Sequence, residues 1–280
     1  MPRMGLLPLL VASVHGLQLA SLLDANRATV NALNPDVSEL TRLRFAMAFP
    51  DDAAAASAAL EEQLAWRAGE GASIVSAAAS AVKAATADGG WNNQPVNDAA
   101  PHAALVNQYI TTNQIVTLST AEGDLVFCIR AAALDDASLM SAVTVEQLTD
   151  FFLYTKEIHS LVADARTERS GRLCRVLLAN DLGGLNLAGD ASFRSALSAS
   201  SMAATRLYPS LAGPTLLLNL PFLLQTLVSL FKPLFPPAVL ERLKFAKAEK
   251  LGLVADLATL TTDAGARDAV LGELEEIATK

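Results

Sequence analysis

The spacing of apolar residues changes character near residue 115. Before that point they recur every three to four positions. Leu40, Leu43 and Phe45 follow Ser38, and Leu60, Leu64 and Trp66 follow Asp51-Asp52. Such spacing lines one face of a helix, and Ser or Asp just ahead of it supplies an N-cap. Residues 17 to 66 therefore read as helices, broken at Asn34-Pro35-Asp36 and Phe49-Pro50. The Ala-rich run from Ile74 to Ala87 extends the helical series. Gly89-Gly90-Trp91-Asn92-Asn93-Gln94-Pro95 reads as a loop and a unit boundary.

Beyond it, Ile115–Leu118 and Leu125–Ile129 are β-type runs joined by a short turn, a hairpin signature. Val143 to Ala165 carries an amphipathic helical pattern. Cys174–Ala179 and Thr215–Asn219 are continuous apolar runs, the signature of strands covered on both faces. Phe193–Leu207 reads as a helix between them. Phe222–Phe231 reads as a very apolar helix and Pro236–Leu243 as a short one. A strand follows near Leu243–Ala246, and the tail is helical to Lys280. The alternation predicts an α/β unit with a mostly parallel sheet over residues 96–280, preceded by a helical module over residues 1–88.

Composition sharpens this picture. Hydrophobic residues make up 52% of the 280 positions, charged residues only 18% and aromatics 5%, with a mean hydropathy of +0.34. That excludes a disordered chain and leaves a surplus of aliphatic side chains to place. Cys128 and Cys174 are the two cysteines. They fit a reducing compartment and read as buried small hydrophobes. A net charge of −8 and a pI of 4.9 argue against nucleic acid as a partner. The most apolar window, Leu216–Phe235, is interrupted by Asn219, Pro221, Gln225, Lys232 and Pro233. It reads as a strand followed by a helix, not a membrane span. Residues 5–23 read as a packed helix, with a processed targeting segment as the alternative.

Catalytic chemistry finds no constellation. His15, His102 and His159 have no paired-ligand spacing, and no nucleophile elbow or phosphate-binding glycine motif occurs. His159 reads as a surface or boundary residue. Gly183-Gly184 reads as a strand-exit turn. Glu61-Glu62, Asp51-Asp52 and Asp135-Asp136 are sequence neighbours that do not face each other on a helix. The expectation is a protein that is no enzyme and has no metal and no cofactor.

Three colinear segments resemble the CRAL-TRIO lipid-binding family. Leu40-Thr-Arg-Leu-Arg-Phe-Ala-Met-Ala-Phe with Trp66-Arg67 is similar to its helical module. Val176-Leu-Leu-Ala-Asn-Asp181-Leu-Gly-Gly184 is similar to its strand ending in Asp-Leu-x-Gly. Tyr208-Pro209, Asn219-Leu220-Pro221-Phe222 and Phe231-Lys232-Pro233-Leu234 match its Tyr-Pro, Asn-x-Pro and Lys-Pro runs in order. The resemblance spans roughly residues 36–250. It implies an α/β cup with a sheet floor and an apolar gate helix, placed here at Phe222–Phe235. It also implies non-enzymatic binding and intermembrane transfer of a hydrophobic molecule.

The departures bear on the ligand. The basic pair of the phosphatidylinositol-binding members aligns with Met47 and Ala48. The hydroxyl positions of the phosphatidylcholine-binding members align with Val176 and Leu178. Arg242 keeps a cation after the gate. The implied ligand is apolar (isoprenoid, carotenoid, sterol or tocopherol-like), and the alternative is phosphatidic acid or another phospholipid. The implied contacts are Met47, Phe127, Phe151, Tyr154, Val176 and Leu178. Leu216, Leu218, Phe222, Leu227, Phe231 and Arg242 complete them. Reversible docking on a membrane surface is expected from Phe222, Leu223, Leu227, Leu230, Lys232, Leu234, Phe235 and Lys244. The implied state is a monomer, cytoplasmic and peripherally membrane-associated, with an organelle as the alternative location.

Overall fold

The computed structural model describes residues 18–87, 90–120, 122–184, 189–221, 242–254, 257 and 260–279. The helical series comprises α1 (Leu19–Ala25), α2 (Arg27–Ala32), α3 (Glu39–Ala48), α4 (Ala53–Ala68) and α5 (Ala72–Ala85). Ser38 caps α3 by accepting from the Thr41 amide, and Asp52 caps α4 by accepting from the Ala55 amide. Two short helices follow, α6 (Asn93–Asp98) and α7 (Ala103–Val106). The first replaces part of the expected loop. The Asn92 side chain accepts from the Gln94 amide and starts a helix there.

The second half holds β1 (Ile115–Ser119), β2 (Leu125–Arg130), α8 (Asp136–Ala142), α9 (Val145–Ser170), β3 (Val176–Asp181), α10 (Ala191–Leu207), β4 (Ala212–Leu218), β5 (Leu243–Ala246) and α11 (Ala264–Thr279). The five strands form one sheet in the order β1-β2-β3-β4-β5. β1 and β2 are antiparallel, and the remaining pairs are parallel. This is the mixed, mostly parallel α/β architecture expected.

Each sheet face has its own core. Ile115, Leu125, Phe127 and Val176 pack toward α9 with Leu148, Phe151 and Ile158. Val116, Val126, Cys128, Leu177, Leu216 and Leu218 pack toward α11 with Val270, Leu271 and Leu274. The two cysteines are free and buried.

α9 is the central pillar, 26 residues long. A reciprocal capping box between Thr144 and Gln147 starts it, and Gly171 at a φ of 64° ends it. Its length from Phe151 to Thr155 is buried without interruption. One reason is α5, whose Ile74, Ala78, Ala81 and Ala85 share the α9 cluster. Small residues let the two helices approach closely. The packing therefore runs across the boundary expected near residue 88.

One guanidinium fastens the front of the molecule. Arg44 of α3, 4% exposed, donates to the Asp164 carboxylate at 2.8 Å, the Ser210 carbonyl at 3.0 Å and the Cys174 carbonyl at 3.0 Å. α3 is thereby tied to α9 and to the approaches of β3 and β4.

Candidate functional site

Side chains alternate along a strand, so register decides what each face offers. Phe127 of β2 stands beside Leu178 of β3, and Leu178 stands beside Thr215 of β4. On this face, between the sheet, α9 and α10, lies a cavity of about 470 Å³. That is within the ~300–1,000 Å³ usual for small-molecule sites. Its floor is apolar: Phe127, Phe152, Val176 and Leu178. Its open side is polar. Ser198, Ser201 and Thr205 of α10 line it and are exposed, as is Arg242 ahead of β5. Asn180 and Lys156 also border it, both half-buried.

Of the twelve contacts implied by the resemblance, Phe127, Val176, Leu178 and Arg242 border this cavity. Leu216 and Leu218 do not. Pairing of Ala179 with Leu216 and of Asp181 with Leu218 puts both on the opposite face, against α11. A run of apolar residues buried on both faces gives no alternation from which to choose the face.

Phe151 and Tyr154 turn away as well. Phe151 sits in the core, edge-on to Phe152 at 5.5 Å between ring centroids. Tyr154 donates its hydroxyl to the Val96 carbonyl at 2.8 Å, and burial raises its pKa. α9 presents Phe152 and Lys156 to the cavity instead, one turn apart. Met47 packs within the helical module, in the cluster of Val30, Leu43 and Leu173. Phe222, Leu223, Leu227, Leu230, Phe231, Lys232, Leu234 and Phe235 lie outside the described residues. Lys244 stands on β5 paired with Leu216.

Two residues of α9 were not legible as site features. The Lys156 ammonium lies 5.0 Å from the Phe127 ring centroid, and burial lowers its pKa to about 8. His159 is fully buried, which corrects its reading as a surface or boundary residue. Its Nε2 is 2.9 Å from the Thr117 hydroxyl, and its ring is edge-on to Phe127 at 5.0 Å. Burial, and secondarily the Lys156 charge, hold its pKa well below the ordinary value. The wall from α10 was also unassigned; Leu197, Ser201, Ala204 and Thr205 recur at helical spacing and carried the signal.

At the far end of β4, Asn219 adopts a φ of 51°. Its amide nitrogen donates to Asp181 at 3.0 Å and to the Ala278 carbonyl at 2.9 Å. Its oxygen accepts from the Ala248 amide at 3.0 Å. The Asn219-Leu220-Pro221 break is thus held to β3, α11 and the chain after β5.

Among the described residues no group of three or more His, Cys, Asp or Glu could hold a metal ion. No helix among them is long and apolar enough to cross a membrane.

The family model for the CRAL/TRIO domain matches residues 113–260, from just before β1 to just before α11. The chain belongs to the CRAL/TRIO domain family. Binding of lipid, in general terms, comes with that membership. Among solved structures, the crystal structure of Sfh5 aligns at a TM-score of 0.51 and 14% identity, covering 89% of this chain and 85% of that one. At that identity the likeness speaks for the fold alone. No curated protein sequence matches the chain at a significant level.

Proposed function

We propose that the protein binds one amphiphilic lipid in the cavity between the sheet, α9 and α10 and exchanges it with membranes without covalent chemistry. The observation that carries this reading is the division of one cavity into an apolar floor and a polar, cationic side. Acyl or isoprenoid chains gain about 25 cal/mol per Å² by leaving water for such a floor. A headgroup keeps its hydrogen bonds at the serine, threonine and arginine side.

The floor at Val176 and Leu178 also fits a wholly apolar ligand. The polar side favours phosphatidic acid or another phospholipid, because a wholly apolar molecule leaves those groups without a role in binding. Docking on a surface bearing anionic headgroups would use the apolar sequence from Phe222 to Phe235, which contains Lys232, together with Lys244 of β5.

Native mass spectrometry of the purified chain tests the reading, together with transfer of labelled lipid between vesicles. One lipid per chain and protein-dependent transfer are the expected results. Lipid that binds but never moves between vesicles would make the protein a sensor. Absence of any bound or transferred lipid would overturn the reading.

A further inference from the structure

Two cations, Lys156 and Arg242, border the cavity, and no Asp or Glu among the described residues does so. In a chain carrying a net charge of −8, that is a local reversal of sign. Lys156 has neither a hydrogen bond nor an ion pair among the described residues; its ammonium has the Phe127 ring face. A ring face attracts a cation but accepts none of its conventional hydrogen bonds, which a carboxylate or phosphate oxygen would do.

Among the described residues, the surrounding groups give it no counter-charge. Glu157, its neighbour on α9, is taken by Arg67 through two hydrogen bonds. His159, one turn on, bonds Thr117 and is held neutral. Asp124 is paired with Arg172 at 2.8 Å and accepts from the Arg175 backbone amide, while Arg172, Arg242 and Arg44 all bear on the Arg175 guanidinium with positive charge.

We infer that Lys156 is the counter-charge for an acidic lipid headgroup, with Arg242 as the second cation at the open side. The inference rests on the lipid-binding reading above and narrows it. The headgroup chemistry is a carboxylate or a phosphate monoester, either of which accepts charge-assisted hydrogen bonds from both cations. A choline headgroup would bring a further positive charge to a site with two cations and, among its described residues, no carboxylate, so zwitterionic lipids are disfavoured.

Extraction from phosphatidylcholine vesicles by the full chain tests this. The vesicles carry, in turn, oleic acid, oleyl alcohol, phosphatidic acid or diacylglycerol. The expected result is at least about tenfold preference for an acid over its neutral twin, equivalent to 1.4 kcal/mol. A preference within the first pair assigns a carboxylate, and within the second a phosphate. K156M should bring the preference to within about twofold while neutral lipid is still taken up, and K156R should keep it. If K156M fails to fold, K156Q serves the same comparison. Equal uptake of acid and neutral twins, or a preference that survives loss of the ammonium, overturns the inference while leaving lipid binding intact. Uptake of none of the four overturns the lipid-binding reading itself.

Discussion

Arg67 grips Glu157 through two parallel hydrogen bonds, Nη1 to Oε2 at 2.6 Å and Nη2 to Oε1 at 2.8 Å. The carboxylate is fully buried. Successive residues on a helix point about 100° apart. Fixing Glu157 toward the helical module therefore fixes the direction of Lys156, the residue before it, toward the cavity. The arginine that closes the Trp66-Arg67 pair thus sets the rotation of the pillar helix beneath the site.

Arg67→Met leaves that carboxylate buried without its partner. A loss of about 3–5 kcal/mol is expected, as for other broken buried ion pairs. Urea unfolding measures it. Adding Glu157→Gln should recover part of the loss; no recovery would mean that Arg67 acts through packing alone.

Leu178→Trp places an indole over the cavity floor and should abolish lipid uptake with the melting transition retained. Leu216→Ala, on the other face, should lower stability by about 2–5 kcal/mol and leave uptake unchanged. Undiminished extraction by the tryptophan variant would show that the ligand lies elsewhere.

His159 is held neutral by burial, its folded pKa lying well below the unfolded value of 6.5. Below about pH 6.5 the unfolded chain binds a proton that the folded chain refuses, so stability falls as pH falls. His159→Gln keeps a partner for Thr117 and removes the titration. Urea midpoints between pH 7 and pH 5 should fall less steeply in the variant; parallel slopes would show that other groups set the acid limb.

Lys156 predicts a trade of stability against binding. Its pKa near 8 lies below the ordinary 10.5. Its cost is therefore fully present below pH 8 and fades as pH rises toward 10.5. Lys156→Met should stabilise the empty protein at pH 7, by on the order of 1 kcal/mol. A melting temperature that falls would argue that the lysine stem holds the floor together.

The strands and caps were legible because their signals are local. Ser38 and Asp52 cap the helices their sequence assigned them, and the hairpin of β1 and β2 follows its turn. The site was legible only in part. α9 is buried all round over Phe151–Thr155, so periodicity gave no inward face, and Lys156 looked like any helical lysine. β4 is apolar on both faces, so Leu216 and Leu218 could not be told from Leu217. The α6 helix depended on a single Asn92 cap inside a stretch rich in turn residues. Each of these is decided by which element lies opposite, and that is a property of the tertiary fold.

The packing of α5 on α9 has a practical corollary for anyone dividing this protein. A fragment starting at residue 96 would not be a smaller copy of the ligand-binding half. Its central helix would show water the stripe that Ile74, Ala78, Ala81 and Ala85 now cover. The Cys174 and Ser210 carbonyls would also lose the arginine that holds them. Such a fragment should aggregate or bind hydrophobic dyes, and lipid uptake measured on it would report exposed core instead of the cavity. The helix from Ala72 to Ala85 belongs to the wall behind the vessel, not to a handle that can be cut away.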